Sequence, residues 1–362
     1  MRKIAITGGN ILTPLGDLQA TWDGLLRGRS GLAFRSFPSV AREYPVGIIG
    51  DLRGTGGSWL RLKNMLDRLL DDMPHLPQGT GLFCATTKAA VDELINSNGA
   101  VAGCPHQLGG YIQDRLGFAT GATMVSAACA SGSLAVARAG MQIAAGACEH
   151  ALVVGVDVVA DFIVAGFDSL KALSTTGAKP FDRHRDGLSL GDGAAWMLLS
   201  AHGAMAESTT PPLAWLEDWG ISCDATHITA PCRKASGLKA LFDRIVATSG
   251  KRPGGIHAHG TGTVYNDSME LLAFRDKFDG DVPRCSVKGA LGHSLGAVGL
   301  IEAMLSVKSL HLQMLPPTVG LVEAEEGAGT ISGEQGLPLV NPSVISCNSG
   351  FGGVNCALYL TR

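Results

Sequence analysis

Residues 126–146 read SAACASGSLAVARAGMQIAAG, and residues 293–310 read HSLGAVGLIEAMLSVKSL. Each stretch begins at a reactive side chain, Cys129 or His293, or just before it. Each passes through a turn of small residues and continues as a helix of Ala, Gly, Leu and Val. Few charges interrupt either run, so both helices suit burial between layers rather than a surface position. In each half an apolar strand pair then closes the unit, near Ser200 or near Leu360. The same grammar used twice implies an internal duplication. A polar, Pro-containing stretch, 202–212, separates the copies. The expected units are 1–205, which carries Cys129, and 206–362, which carries two histidines and a lysine.

Outward from these stretches, strand and helix signals alternate, which predicts an α/β chain with a largely parallel sheet. Strands are expected at 3–7, 80–85, 151–159 and 194–199, and then at 213–223, 255–259, 284–287, 344–347 and 356–360. Segment 151–159, ALVVGVDVV, is apolar almost throughout, as a strand covered on both faces should be. Helices are expected at 18–27, 59–71, 88–96, 106–116, 132–146, 235–248, 267–278 and 296–310.

Composition excludes several classes. Lys and Arg number 29 against 32 Asp and Glu, a net charge of −3, so no basic field awaits nucleic acid or anionic lipid. Hydrophobic residues make up 46% and charged residues 17%, enough for a large core. The 49 glycines, without collagen periodicity, point to tight turns and close backbone packing. No run reaches the ~18 consecutive apolar residues of a membrane span. The start, MRKIAITGG, is too short an apolar run for a signal peptide and reads as a strand and a turn. Nine cysteines, an odd number with no CxxC pair, fit neither a disulfide framework nor a zinc site. Reduced thiols in the cytoplasm are the expectation.

Four segments could carry chemistry. Cys129 sits between a strand-like segment, 121–126, and a helix start, where backbone N–H groups and the helix dipole should lower its pKa. A buried structural thiol is the alternative. His259, in HAHGTGTVYND (257–267), ends a short strand before a glycine turn. Thr261 and Thr263 there offer hydroxyls, and a loop histidine with a local hydrogen bond is the other reading. Lys288 and His293 flank a loop before an apolar helix. Glu302 lies within that helix, where a carboxylate needs a partner or an exposed position. The last segment, NSGFGGVN (348–355), places Phe351 among glycines, either as a mobile aromatic or as a plain β-turn. Asp267 and Glu270, after the glycine turn, could support it or, for Asp267, cap a helix. One thiol and two imidazoles at element junctions of two halves suit acyl-thioester chemistry.

Taken in order along the whole chain, these segments resemble the β-ketoacyl-acyl-carrier-protein synthases, the elongating condensing enzymes of the thiolase superfamily. ACASG at 128–132 is similar to the nucleophile turn, and HGTGT at 259–263 to the first histidine motif. KGALGH at 288–293, with Gly296, Ala297 and Glu302, resembles the lysine and second-histidine motif. GFGG at 350–353 resembles the gate of the acyl pocket. FDRHRDG at 181–187 with GDG at 191–193, and DATHIT at 224–229, match further segments.

The resemblance implies a thiolase-like five-layer α-β-α-β-α sandwich and a decarboxylative Claisen condensation with malonyl-acyl-carrier protein, in fatty acid or polyketide-like synthesis such as aryl polyene pigments. It implies Cys129 as acyl acceptor and His259 and His293 as the groups that bind the malonyl thioester. Lys288 and Glu302 would orient and polarise the His293 region. Thr261 and Thr263, with Gly350 and Gly352, would meet the phosphopantetheine arm. The N–H groups of Cys129 and Phe351 would form the oxyanion hole. No bound cofactor and no metal is implied; the partners are an acyl carrier protein and a second subunit, identical or ketosynthase-like, facing segment 121–127. The alternative is a non-catalytic chain-length-factor-like subunit, although such subunits usually lack the nucleophile. The chain departs from the family in its short length, its trimmed segment between Asn96 and His106, Ala130 in place of Ser or Thr, and one missing aromatic residue in the gate loop.

Overall fold

The computed structural model describes residues 2–50, 57–96, 103–205 and 211–362. The first half runs β1 (Ile4–Leu12), α1 (Leu18–Leu26), β2 (Ala33–Arg35), β3 (Tyr44–Val46), α2 (Ser58–Leu70), β4 (Gly81–Ala85), α3 (Val91–Asn96), α4 (Pro105–Leu116), β5 (Thr123–Val125), α5 (Ser131–Ala144), β6 (His150–Asp157), α6 (Asp161–Ser169) and β7 (Gly193–Ala201). The second runs β8 (Ala214–Cys223), α7 (Ser236–Ser249), β9 (Gly255–His257), α8 (Val264–Phe278), β10 (Arg284–Cys285), α9 (Lys288–Leu291), α10 (Val298–Leu312), β11 (Met314–Leu315), β12 (Leu337–Pro338), β13 (Ser343–Gly350) and β14 (Val354–Thr361). Residues 97–102, within the shortened segment, and 206–210, at the boundary between the expected units, lie outside the described residues.

The main sheet has the order β10-β9-β13-β14-β8-β1-β7-β6-β4-β5. From its centre the two arms read β1-β7-β6-β4-β5 and β8-β14-β13-β9-β10, the same sequence of first, fifth, fourth, second and third strand. A short antiparallel ladder, Ile4–Ile6 against Ala214–Leu216, joins the arms.

Helices α5 and α10 pack on each other and on strands of both arms, and this middle layer holds Ile143, Val153, Leu300, Met304 and Val344 in one core. On the far side of the first arm, Leu62 and Met65 of α2 and Leu108 and Ile112 of α4 cover Leu152 and Val154. Strand β6 therefore buries alternate residues in two cores, which explains its unbroken apolar run. Leu241 and Phe242 of α7 and Phe274 of α8 cover the other arm. Five layers result, α-β-α-β-α.

The small residues of the middle layer have a steric cause. A Cβ at Gly132 would stand 2.6 Å from the Leu300 nitrogen and 3.0 Å from the Gly296 oxygen, so α5 and the start of α10 cross with backbones in contact. Segment Leu295–Leu312 is long and apolar enough to cross a membrane, but 83% of it is buried in the protein as this core helix.

Three expectations need correction. The sheet is mixed rather than largely parallel: β7 and β14 return antiparallel to β6 and β13, the latter through a hairpin. Strand β1 does not stop at Gly8 and Gly9 but runs on to Leu12, with its register shifting between Ile6 and Gly8. Gly9 lies where any Cβ would strike Met304, so the glycines serve close packing instead of a turn. Helix α6 is not among the expected helices, and α9 and the small ladders β2–β3 and β11–β12 carry too few residues for a sequence period to show.

The helix crossing gives a test by urea denaturation. Gly132→Ala should lower unfolding free energy by about 1–3 kcal/mol through overpacking. Gly110→Ala, inside α4 with nothing within 4 Å of the added methyl, should be neutral or stabilising by up to about 1 kcal/mol. Equal effects at both positions would contradict the contact.

Candidate active site

Cys129 stands at the turn into α5. Ala128 before it has a left-handed backbone, φ +49°, and the Ser131 hydroxyl binds the Ala127 N–H at 2.8 Å and the Ala128 carbonyl at 2.6 Å. These bonds hold a sharp elbow that presents the thiol at the start of the helix. The thiol is almost fully buried, 7% exposed. Burial pushes its pKa up to about 12, opposed by the Lys288 charge and by hydrogen bonds from the N–H groups of Phe351 and Cys129 itself. The expected lowering by the helix start is thus outweighed, because desolvation penalises the thiolate more than these groups favour it. The resting group is a neutral thiol.

His259 follows β9. The glycine turn after it is shaped by α8: Asp267 accepts from the N–H groups of Thr261 (2.9 Å) and Gly262 (3.1 Å), and Glu270 from those of His259 (2.8 Å) and Gly260 (2.7 Å). Gly262 has φ +81°, and a Cβ there would stand 2.8 Å from the Gly187 oxygen, so only glycine fits. Asp267 and Glu270 therefore support the turn rather than cap a helix. Burial first, then Asp267, pushes Glu270 up to about 8.

His293 follows α9. Its N–H donates to the Ser189 carbonyl at 2.7 Å, and its carbonyl accepts from Gly191 at 3.1 Å, so the first half grips this loop. Gly191 and Gly193 lie where a Cβ would strike Leu291 and Ser294, which accounts for the GDG spelling. His293 Nδ1 accepts from the Leu295 N–H at 3.0 Å, so Nε2 carries the proton, and Nε2 is buried without a partner among the described residues. The two imidazoles meet edge to face, centroids 5.2 Å apart. Burial, and then the Lys288 charge, hold both well below the ordinary histidine pKa, so both are neutral.

The thiol and one nitrogen from each ring lie within 4.8 Å of one another. These soft donors could hold a zinc-like ion, but nothing in their surroundings dedicates them to one.

Lys288 is fully buried. Its ammonium meets Glu302 Oε1 at 2.6 Å and donates to the His259 carbonyl. Burial raises the Glu302 pKa, while Lys288 and Asn348 draw it down. The hydrogen bonds of this pair run to His259, not to the His293 region as expected. The reason is chain geometry: β9 ends beside α10, whereas His293 turns away toward the first half. Asn348, which the sequence showed only as part of a glycine-rich turn, links Glu302, His259 and Ser133.

A cavity of about 380 Å³ reaches Cys129, His259 and His293 from the surface. Thr261 and Thr263 line it, their hydroxyls 2.9 Å apart. Gly350 lines it too, and a Cβ there would press on the Cys129 nitrogen at 3.2 Å. Gly352 does different work: its N–H donates to the Ile228 carbonyl at 2.6 Å, tying the 348–355 loop to the 224–229 loop. Phe351 stacks on Phe167 of α6, centroids 5.7 Å apart. Phe167 carried no sequence signal, since its helix is short and it is distant in sequence from the site. Arg185, of the 181–187 motif, reaches Ser268 at 2.8 Å and Glu325 at 2.6 Å and braces α8.

A thiol, two neutral imidazoles and a buried ammonium–carboxylate pair, set between the arms of a duplicated five-layer sandwich, define a thiolase-like condensing enzyme. Residues 78–204 match the beta-ketoacyl synthase N-terminal domain and residues 213–322 the beta-ketoacyl synthase C-terminal domain. The 3-oxoacyl-[acyl-carrier-protein] synthase 2 of Mycobacterium bovis is 30% identical over 406 aligned positions, covering 99% of this chain and 97% of that protein. The protein of that name from Vibrio cholerae is 34% identical over 258 positions, 66% of this chain and 61% of that one. Among solved structures, a ketosynthase in complex with its chain length factor from Xenorhabdus doucetiae is 25% identical, with TM-score 0.84 over 99% of this chain and 98% of that one. A beta-ketoacyl synthase from Burkholderia phymatum, 24% identical, shares the fold, with TM-score 0.85 over the full length of both chains. The chain belongs to the β-ketoacyl synthase family, condensing enzymes of the acyltransferase class.

Neutral buried histidines leave a mark on stability. Their folded pKa lies below the unfolded value near 6.5, so they favour the folded state above that pH, and the benefit is lost as pH falls through 6.5 toward the folded value. Glu270, held up at about 8, acts in the opposite direction over the same range, so the histidines are read by difference: from pH 8 to 5 the wild type should lose more stability, or gain less, than the His259→Asn, His293→Asn double variant. An unchanged slope would contradict the neutral pair.

Proposed function

We propose that the chain is a 3-oxoacyl-[acyl-carrier-protein] synthase whose Cys129 takes an acyl group and whose His259 and His293 drive decarboxylation of malonyl-acyl-carrier protein. The observation that carries this reading is the cluster of the Cys129 thiol and two neutral imidazoles within 4.8 Å at the end of one cavity.

Cys129 sulfur attacks the acyl thioester, the carbonyl oxygen rests on the N–H groups of Cys129 and Phe351, and the carrier's sulfur leaves with the thiol proton. Burial keeps the thiol protonated at rest, so its proton must leave the sulfur as the sulfur attacks, and it is this proton that the departing carrier sulfur takes up. The malonyl thioester then binds with its carbonyl oxygen at the histidines. Loss of CO2 leaves an enolate that their N–H groups stabilise. The enolate carbon forms a bond to the acyl carbonyl carbon on Cys129. The C–S bond breaks, releasing a chain longer by two carbons, and the sulfur regains a proton from solvent. Lys288 and Glu302 hold the His259 backbone. Thr261 and Thr263, with Gly350 shaping the wall, receive the phosphopantetheine arm. Gly352 holds the gate loop and so acts on that arm indirectly.

The substrates are carried by an acyl carrier protein, and no other cofactor is required. We assign the units as 1–205 and 206–362, supported by the repeated strand order of the arms. Strand β5, the last of the sheet and paired among the described residues with β4 alone, offers segment 121–127 to an identical or ketosynthase-like subunit. The nine free thiols fit a cytoplasmic enzyme. The retained Cys129 disfavours a chain-length-factor role. A specialised pathway, such as pigment synthesis, fits the trimmed gate and short length.

Intact-protein mass after incubation with a panel of acyl-carrier-protein thioesters tests the reading. The wild type should gain the acyl mass and Cys129→Ala should not, while still decarboxylating malonyl-acyl-carrier protein. His259→Ala or His293→Ala should lose decarboxylation by roughly 10² or more. A Cys129→Ala variant that still loads covalently would overturn the assignment, as would histidine variants with the wild-type rate.

A further inference from the structure

We propose that Asn348 is a positioning residue that sets the tautomer of His259, so that Nε2 carries the ring proton. The inference rests on the proposed function for its catalytic consequence, but not for its geometry.

Asn348 lies on β13, fully buried, and its amide is fully engaged. The Ser133 hydroxyl, from the first turn of α5, donates to Oδ1. Nδ2 donates to Glu302 Oε2 at 2.6 Å and lies 3.3 Å from His259 Nδ1. The amide cannot be turned over: its carbonyl oxygen would then face the Glu302 carboxylate, and its NH2 the Ser133 hydroxyl alone. Glu302 is kept as an acceptor by Lys288, 2.6 Å from its other oxygen. The amide thus has only N–H to offer His259. A neutral imidazole has one donor and one acceptor nitrogen, so Nδ1 accepts and Nε2 holds the proton.

This makes His259 match His293, whose Nδ1 is fixed as an acceptor by the Leu295 N–H. Both rings then present N–H where an enolate oxygen gathers charge. With the proton on Nδ1, His259 would present a lone pair to that oxygen and repel it. The single carboxylate of Glu302 therefore serves His259 twice, through Lys288 at the backbone carbonyl and through Asn348 at the ring.

The test uses the full chain labelled with ¹⁵N-histidine. The His259 resonances, identified by their loss in His259→Gln, should show the Nε2-protonated form; the Nδ1-protonated form would overturn the proposal. In Asn348→Asp an acceptor faces Nδ1, and the tautomer should invert, with His293 unchanged. Asn348→Ala and Asn348→Asp should lower kcat for malonyl-acyl-carrier-protein decarboxylation by roughly 10², the scale of one lost oxyanion donor. KM should stay within about threefold, and iodoacetamide should alkylate Cys129 at close to the wild-type rate. Equal loss of alkylation and decarboxylation with an unshifted tautomer would mean a structural residue only and would overturn it. Should the variants fail to fold, the wild-type spectrum still decides. A wild type that does not decarboxylate malonyl thioesters would sink the proposed function while leaving the tautomer measurable.

Discussion

The site depends on the backbone contact between α5 and α10 at Gly132. Cys129 leads into one helix and His293 into the other, so the distance between thiol and imidazole is set by how closely the two helix starts approach. At 2.6 Å from the Leu300 nitrogen, the position of a Gly132 Cβ leaves no room for a side chain. Glycine at this crossing and at Gly299, where a Cβ would strike Ser133 and Asn348, lets two layers close until reactive groups from opposite halves share one cavity. The arms of the sheet, the outer helices and the short β1–β8 ladder hold this crossing in place.

Around that crossing the protein gathers buried charge. Lys288 and Glu302 lose their hydration, and that cost is offset only because each finds close partners. The ammonium reaches Glu302 and the His259 carbonyl. The carboxylate reaches Lys288 and Asn348. The ammonium in turn disfavours protonation of both imidazoles, adding to the desolvation that already holds them neutral. The same desolvation raises the Cys129 thiol. One environment thus sets three protonation states, a neutral thiol and two neutral imidazoles.

Much of this was legible along the chain. The twice-used grammar of reactive residue, small turn and buried helix anticipates the repeated strand order, because a duplicated sequence preserves local propensity in each copy. Cys129, His259, Lys288, His293 and Phe351 each stand at an element end, and spacing alone places them there. What spacing missed has a common character. Asn348 and Phe167 act through contacts across 89 residues or more, Asn348 with His259 and Phe167 with Phe351, and neither has a local pattern. That the hydrogen bonds of the Lys288–Glu302 pair run to His259 was equally invisible, since residues close in sequence diverge at the Gly292 turn.

By itself the sequence determined the α/β class, the duplication, the junction residues and the family, because hydrophobic period, turn chemistry and motif spelling are properties of short segments. The tertiary structure alone decided which strands run antiparallel, how a thiol at a helix start is held protonated, and which carboxylate serves which histidine. Those outcomes depend on burial and on distances between segments far apart in the chain. Desolvation outweighs a helix dipole only once the packing that removes water is complete.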